Sequence, residues 1–329
     1  MALTFLFLMV NMNLLSKDIQ DLFDSQLQEW PLAKANFEAL KGVESKDFDF
    51  SDFKIRVQFN PARIQSSAAK VDTKSIQERK CFLCPQNLPA EQRGAPFKDE
   101  YQVLVNPFPI FPVHFTIPAY QHIDQLIFNR YGDMLDLAKE MDGYTIFYNG
   151  PKCGGASAPD HVHFQAGIKD FLPIEKEIQK VTGGELLYQS DALSVYTIKN
   201  YLRNGFLLEA EVKEESIAYF QKIYNLLEIK DGDKEPMMNI LTWYNNNKWH
   251  SIVFPRKKHR PDCFYAEGDD NLLISPPAAV DLGGVFITPL EKDFKKITKN
   301  DIENILKEIS ISDEKMQKLS EKLKVKSEE

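Results

Sequence analysis

Polar and apolar side chains alternate over residues 161–166, and this alternation is the strongest structural signal in the chain. The polar positions are His161, His163 and Gln165, and Val162 and Phe164 lie between them. Successive side chains of a β-strand point to opposite faces of its sheet. We therefore expect the two histidines and the glutamine to share one face of a strand, with the apolar residues packed in the core.

A glycine-containing loop over residues 149–157 leads into this strand, with Gly154 and Gly155 adjacent in it. Glycine lets the backbone turn its N–H groups inward, so these residues can offer amides to a phosphate. A glycine pair is more often a simple turn, and the neighbouring histidine strand is what favours the functional interpretation. Loop and strand together suit the binding and transfer of phosphate groups.

Composition restricts the class of ligand. The chain has 329 residues, of which 43% are hydrophobic and 27% charged, a balance typical of one large or two moderate globular domains. With a net charge of -8 and no basic stripe, it is a poor candidate for binding nucleic acid. An anionic small molecule needs local positive charge, and one or more of Arg56, Arg63 and Arg79 can clamp a phosphate, although surface charge is the alternative for each.

The first ten residues are apolar, but they have neither the basic region nor the cleavage site of a signal peptide. They are also too few to span a bilayer. We prefer an over-extended start, with Met9 or Met12 as the true first residue, and a weak signal sequence is the alternative. The chain has 4 cysteines, a low count for its length, and a CxxC pair favours a reducing compartment over disulfides. We therefore expect a cytoplasmic protein without a membrane partner.

The CxxC pair is Cys81 and Cys84, two thiolates at a spacing that can hold one zinc ion. Zinc prefers four nitrogen or sulfur ligands in a tetrahedron, and His122 and His161 are the natural candidates for the other two. The alternatives are a redox dithiol or two buried cysteines. We favour a metal, with zinc expected and iron also compatible with this set of donors.

The second histidine of the strand is the candidate nucleophile. An imidazole can attack phosphorus and hold a nucleotidyl group, which divides one transfer into two displacements. If His161 binds metal, His163 stays free for the attack, and Gln165 can donate to a phosphoryl oxygen as charge develops. A pair of structural histidines is the alternative, which the glycine loop and Gln165 make less favourable. We interpret His114, in another strand-like segment, as structural.

Hydrophobic periodicity predicts helices over residues 12–42 and 127–141, and strands over residues 54–59, 101–105, 114–118 and 144–148. The second half repeats this order weakly, with a hairpin formed by residues 238–244 and 249–255. Residues 285–289 follow two glycines and are expected to take the place of the histidine strand. From residue 301 onward the pattern predicts a charged amphipathic helix.

Taken together, these motifs resemble the galactose-1-phosphate uridylyltransferase branch of the histidine-triad superfamily. That branch also includes the dinucleoside-tetraphosphate phosphorylases and the GDP-hexose phosphorylases. Its active strand carries HxHxQ, and the resemblance implies that His163 is the covalent nucleophile and that Gln165 contacts the phosphoryl group. The zinc site of a bacterial uridylyltransferase implies four metal ligands here, namely Cys81, Cys84, His122 and His161.

The resemblance also implies residues that contact the nucleotide. Together with the glycines of the loop, the expected set is Arg63, Asn106, Asn149, Gly154, Gly155 and Ser157. The uridylyltransferases have prolines where this chain has Asp160 and Val162, so their sugar specificity does not carry over. The second half is more similar to the phosphorylases.

The expected fold is α+β, with two histidine-triad-like units, each an antiparallel sheet with packed helices, and the second unit degenerate. We expect a helical extension over residues 1–48, a catalytic unit with the metal site over residues 49–185, and the second unit with a C-terminal helix over residues 186–329.

The expected function is that of a nucleotidyltransferase or phosphorylase working through a nucleotidyl-His163 intermediate. Its substrate would be a nucleoside diphosphate sugar or a dinucleoside polyphosphate, with phosphate or a sugar phosphate as acceptor. A nucleotide hydrolase and a non-catalytic, metal-stabilised nucleotide-binding protein are the alternatives. The base, the sugar and the acceptor stay open, as does a homodimer.

Overall fold

The computed structural model describes residues 14–64, 76, 78–154, 158–181, 184–268, 271–272 and 277–324. The apolar start of the chain lies outside these ranges. Within them, a ten-stranded sheet and a three-stranded sheet are packed with helices, and the predicted α+β class is confirmed.

The ten-stranded sheet is antiparallel throughout. Its strands are β3 (Gly94–Phe97), β4 (Tyr101–Val105), β5 (His114–Pro118), β6 (Tyr144–Asn149), β7 (His163–Ile168), β8 (Leu186–Gln189), β9 (Leu193–Ile198), β10 (Gly205–Ala210), β11 (Met238–Asn245) and β12 (Lys248–Pro255). Read inward from its two edges, the sheet has the same order in each half, β3-β4-β5-β7-β6 and β8-β9-β10-β12-β11. The halves meet where β6 pairs with β11, so two similar units share one sheet.

A tight turn joins β11 to β12, as the sequence predicts. Asn246 and Asn247 have φ values of 50° and 62°, and Asn245 pairs with Lys248 across the turn. Asparagine tolerates this left-handed conformation better than most residues, which makes it a favoured residue in two-residue hairpins.

The expectation for residues 285–289 is wrong. Strand β13 (Val285–Thr288) lies outside the large sheet and pairs in parallel with β2 (Lys54–Phe59), which pairs in turn with β1 (Glu44–Asp49). The strand that occupies the place of β7 in the second half is β12. The two glycines before β13 end a short helix instead of forming a phosphate loop. All four residues of β13 are buried, so its sequence has no alternation of polar and apolar residues that would show which sheet it joins.

Helices cover both faces of the large sheet. They are α1 (Leu14–Glu29), α2 (Pro31–Leu40), α3 (Tyr131–Glu140), α4 (Pro173–Val181), α5 (Lys213–Leu226), α6 (Ala279–Leu282), α7 (Glu291–Lys296), α8 (Lys299–Ile309) and α9 (Asp313–Lys324). The helical segment predicted over residues 12–42 divides at Trp30, because Pro31 begins a new helix. The predicted tail helix is likewise two helices, α8 and α9.

Two hydrophobic cores lie on opposite faces of the large sheet. One packs the sheet against α1, α2, α3, α5 and α9, and the other packs it against the three-stranded sheet with α4, α6 and α8. Among the described residues, no helix combines the length and the apolar character required to cross a membrane.

Candidate active site and metal centre

Strand β7 divides its side chains between core and cavity. Phe164 and Ala166 are fully buried in the core that packs the sheet against α1, α2, α3, α5 and α9. His163 and Gln165 instead line a cavity of about 350 Å³. Arg63 and Asn106 line the same cavity. The alternation predicted for this strand therefore separates packing residues from site residues.

His163 is held as a neutral imidazole. Its ring Nδ1 lies 2.8 Å from the carbonyl oxygen of His161, and since a carbonyl only accepts, Nδ1 carries the hydrogen and donates it. Burial lowers the pKa of His163 to about 4. At neutral pH the lone pair is therefore on Nε2, the nitrogen that a nucleophile needs.

The backbone of His163 is held by a buried amide that sequence reasoning missed. The Oε1 of Gln125 accepts from the His163 N–H at 2.7 Å, and its Nε2 donates to the His163 carbonyl at 3.0 Å. The same Nε2 donates to the Asn149 carbonyl at 3.1 Å. Gln125 is fully buried, so these bonds fix the start of the strand rather than exchange with water.

Gln165 is oriented by His114, which sequence analysis interprets only as structural. Ile110 N–H donates to His114 Nδ1 at 3.2 Å, so the hydrogen of this ring is on Nε2, which donates to Gln165 Oε1 at 3.0 Å. Burial and the nearby charge of Arg63 lower the pKa of His114 to about 3, which keeps it neutral. Since the oxygen is held, the amide nitrogen is the group with which Gln165 can donate to a ligand.

A glycine permits the packing around His114. The ring of Phe111 lies 5.3 Å from the His114 ring between centroids, edge to face. A Cβ on Gly167 would lie 2.4 Å from Phe111, a distance that no side chain tolerates. Gly167 is two residues beyond Gln165 in β7. The strand that carries Gln165 therefore also leaves space for the Phe111 ring that packs against His114.

Arg63 and Asn106 are held by a single turn. The Nη1 of Arg63 donates to the Phe108 carbonyl at 2.7 Å, and the Phe108 N–H donates to Asn106 Oδ1 at 2.9 Å. Asn106 also donates to the Thr116 hydroxyl at 3.0 Å. Burial lowers the pKa of Arg63 to about 10, which leaves it charged at neutral pH. Among the described residues that line it, the cavity thus has one cation, Arg63, and an ordered set of amides.

The structure does not bring every predicted residue to this cavity. Asn149 is buried at the junction of the two units, where its Oδ1 accepts from Asn239 Nδ2 at 2.8 Å and from Ala279 N–H at 2.9 Å. Gly154 has a φ of +70°, which suits glycine, and it does not line the cavity either. Gly155 and Ser157 lie outside the described residues.

Four predicted metal ligands do come together. One ligand atom from each of Cys81, Cys84, His122 and His161 lies within 4.8 Å of all the others. The sulfur of Cys81 is 3.3 Å from His161 Nδ1, and that of Cys84 is 3.3 Å from His122 Nδ1. Two sulfurs and two imidazole nitrogens are a donor set that zinc prefers.

The outer contacts of the two histidines fit metal binding. His161 Nε2 lies 2.8 Å from the Ala119 carbonyl, and His122 Nε2 lies 3.3 Å from a carboxylate oxygen of Asp160. Each Nε2 therefore donates, and each Nδ1 directs its lone pair toward the thiols, as in protein metal sites where a second acceptor fixes the ring.

The CxxC loop separates two cavities. Phe82 and Leu83 line the cavity of His163, whereas Cys81 and Cys84 line a neighbouring one of about 830 Å³. The cluster of two cysteines and two histidines thus lies behind one wall of the His163 cavity.

The site thus combines a neutral histidine on an HxHxQ strand with two sheet units of the same strand order. Residues 22–168 match a family model described as a domain of unknown function (DUF4922), and residues 175–328 match the GDPGP1-like C-terminal domain. A comparison with curated protein sequences finds no match.

One solved phosphorylase structure has a similar overall fold. Yeast Ap4A phosphorylase Apa2 superposes with a TM-score of 0.54 at 17% identity, covering 85% of this chain and 93% of that one. Its complex with AMP gives a TM-score of 0.53 at 18% identity, covering 87% and 96%. A uridylyltransferase mutant covers 86% and 97%, with a TM-score of 0.41 at 10% identity. The second part of the chain is thus similar to the GDPGP1-like family, and the overall fold is similar to that of an Ap4A phosphorylase.

Proposed function

We propose that the protein transfers a nucleotidyl group through a covalent intermediate on His163, as a nucleotidyltransferase or phosphorylase. The observation that carries this proposal is the neutral His163 ring, whose Nδ1 is bonded to a carbonyl while the ring lines a cavity with Gln165 and Arg63. A similar fold occurs in a phosphorylase of Ap4A that also binds AMP, which supports a nucleotide-linked substrate. A dinucleoside polyphosphate and a nucleoside diphosphate sugar both satisfy this description.

In the first displacement, His163 Nε2 attacks the α-phosphorus of the substrate. The bond from that phosphorus to the bridging oxygen breaks, and the leaving group departs with the electron pair. The imidazole becomes positively charged, and the His161 carbonyl stabilises it by accepting from Nδ1–H. Gln165 and Arg63 are proposed to bind the phosphoryl oxygens as negative charge develops on them.

In the second displacement, an oxygen of phosphate or of a sugar phosphate attacks the same phosphorus. The phosphorus–nitrogen bond breaks, and its electron pair returns to His163. Water in the same position would give hydrolysis instead. Product analysis with and without added phosphate distinguishes the two acceptors.

The proposed metal ligands are Cys81, Cys84, His122 and His161, with zinc as the expected ion and iron compatible. A bound ion would hold the thiolates and His161 in place, which is a structural contribution. His161 also supplies the carbonyl that accepts from His163, so a fixed His161 keeps the nucleophile in its tautomer.

Intact-mass spectrometry tests the proposal directly. The protein is mixed with UDP-sugars, GDP-sugars and diadenosine tetraphosphate, and we expect an acid-labile gain of one nucleoside monophosphate with at least one of them. The adduct should be absent in His163→Ala and present in His250→Ala, which removes a histidine from β12 in the other unit. An adduct that survives His163→Ala, or no adduct with any donor, would contradict the proposal.

A further inference from the structure

The cavity of His163 has an apolar part that the proposed chemistry does not use. Beyond the polar groups already described, its walls include Trp30, Leu32, Phe82, Leu83, Leu88 and Pro89. Phosphoryl transfer needs charges and hydrogen-bond donors, so these six residues require another explanation. They suit the part of the substrate that is flat and weakly polar.

Two of these residues come from the helical extension at the start of the chain, to which sequence analysis assigns no role. Trp30 separates α1 from α2, and Leu32 is in the first turn of α2. Both therefore lie at the α1–α2 junction, far in sequence from the histidine strand but on the same cavity.

The α1–α2 junction is anchored to the cavity wall on both sides. On the α1 side, Gln26 donates to the Glu91 carbonyl at 2.9 Å and accepts from the Arg93 N–H at 3.0 Å. On the α2 side, Asn36 donates to the Pro107 carbonyl at 2.6 Å. These bonds give Trp30 and Leu32 fixed positions before any ligand binds, which lowers the entropic cost of binding.

Two large apolar side chains at this cavity are exposed. Leu32 is 46% exposed and Phe82 is 45% exposed, and the guanidinium of Arg79 lies 5.3 Å from the centre of the Phe82 ring. Apolar surface beside a polar site commonly marks ligand contact. A nucleobase stacks well on an exposed aromatic ring such as that of Phe82.

The volume limits what the cavity can hold. About 350 Å³ is near the lower end of the range for small-molecule sites. This suits one nucleoside monophosphate, and the leaving half of a larger substrate must extend outside.

One amide in the wall can distinguish between bases. The Nε2 of Gln92 donates to the Val105 carbonyl at 3.1 Å, so its oxygen is the group with which it can accept from a ligand. The oxygen of Asn106 is already bonded to Phe108 N–H. An exocyclic amino group, present on adenine, guanine and cytosine but not on uracil, complements the Gln92 oxygen.

We propose that Trp30 and Leu32 of the α1–α2 junction form, with Phe82, the slot for the nucleobase, and that Gln92 favours bases with an exocyclic amino group. This inference rests on the proposed function, because it assigns the base of the same substrate. It makes the helical extension part of the substrate site.

The test is a fluorescence titration of the full-length protein with AMP, GMP, UMP and ribose 5-phosphate. The chain has three tryptophans, and Trp243 and Trp249 lie in the second unit, so quenching by a base bound in the cavity should come from Trp30, which lines the cavity and is 4% exposed. We expect saturable quenching by AMP or GMP, about tenfold weaker binding of UMP, and no quenching by ribose 5-phosphate. The quenching should disappear in Trp30→Phe, and Gln92→Leu should remove the preference over UMP.

Leu32→Ala is a variant that does not threaten the fold, because the side chain is half exposed. It should weaken AMP binding by about tenfold, the effect of a few lost apolar contacts. Its matched control is Leu186→Ala, which removes a leucine with 44% exposure from β8 and should leave binding unchanged.

Four outcomes would overturn the inference: quenching by ribose 5-phosphate equal to that by AMP, quenching that survives Trp30→Phe, equal effects of the two leucine variants, or no binding at all. UMP binding as tight as AMP binding would refute the role of Gln92. Binding requires no covalent chemistry, so its failure is distinguishable from failure of the proposed function. Quenching without an adduct refutes the nucleophile, and an adduct without dependence on Trp30 refutes the slot.

Discussion

At the scale of single residues, individual hydrogen bonds fix the orientation of the side chains in the site. A backbone carbonyl fixes the tautomer of His163, and a buried histidine fixes the amide of Gln165. These supporting residues, His114 and Gln125, are remote in sequence from the strand that they support. Sequence analysis identified the candidate reacting groups because they form a motif. It missed the supporting residues because only tertiary packing brings them to that strand.

Replacing His114 by Phe should impair chemistry more than binding. Without the bond to its oxygen, the Gln165 amide is free to rotate away from the phosphoryl group. We expect kcat to fall about 10- to 100-fold with KM little changed, since a misdirected donor costs less than a deleted one. Steady-state kinetics of His114→Phe provides the measurement, with thermal unfolding to record any loss of stability.

A double-mutant cycle tests whether His114 acts through Gln165. In a Gln165→Ala background, His114→Phe should reduce kcat no further, because the residue that it orients is already gone. Losses that add in full would show that His114 acts on the substrate by another route.

At the scale of elements, short loops join parts of the site that the strands alone would leave apart. The CxxC loop places its two cysteines beside His122 and His161, and its Phe82 and Leu83 line the cavity of His163. The loop between α5 and β11 brings Glu235 from the second unit to the first, where it accepts from Ile127 N–H at 2.9 Å and from the Tyr148 hydroxyl.

Removing the most exposed of the four proposed ligands should release the metal. We expect purified protein to contain about one zinc or iron ion per chain, and His122→Ala to lose most of it together with several kcal/mol of unfolding free energy. Elemental analysis and thermal unfolding with and without a chelator measure both effects. His250→Ala is the control histidine, and a metal content that His122→Ala leaves unchanged would exclude this cluster.

The Glu235 carboxyl should make stability depend on pH. Burial raises its pKa to about 7, above its usual value of 4.5, so the folded state binds this proton more tightly than the unfolded state. The resulting stabilisation is complete below pH 4.5 and is lost as pH rises through 7. Relative to the wild type, Glu235→Gln should therefore gain up to about 3 kcal/mol between pH 5 and pH 8.

Urea unfolding at the two pH values measures this difference, and Glu267→Gln provides an exposed control on the second unit. The same pH dependence in Glu235→Gln and in the wild type would assign the effect to other groups.

At the scale of the whole molecule, a single sheet crosses both units. The two units are joined by the pairing of β6 with β11 and by hydrogen bonds of Arg256. This buried side chain donates to the Cys153 carbonyl, to Asn239 and to the Pro277 carbonyl. Both hydrophobic cores include residues from both halves. The first unit is therefore not packed independently of the second.

Unfolding should accordingly be one cooperative transition. We expect urea curves from far-UV circular dichroism and from tryptophan fluorescence to coincide, because neither unit retains its core without the other. Trp30→Phe confines the fluorescence signal to the second unit. In this variant the midpoint from fluorescence should still equal the midpoint from circular dichroism. Two separated transitions would show that the units unfold independently.

The local chemistry of this protein was determined by its sequence alone. The histidine strand, the CxxC pair, the hairpin around its asparagines and the α+β class are all local patterns, because side-chain alternation, ligand spacing and turn residues act over a few positions. The tertiary structure alone decided which distant segments meet. In the tertiary structure β12, and not β13, corresponds to the histidine strand in the second half. Asn149 lies at the junction of the two units, and Trp30 and His114 lie at the site. Strand pairing and close packing join residues far apart in the chain, and no periodicity within a single segment records its partner.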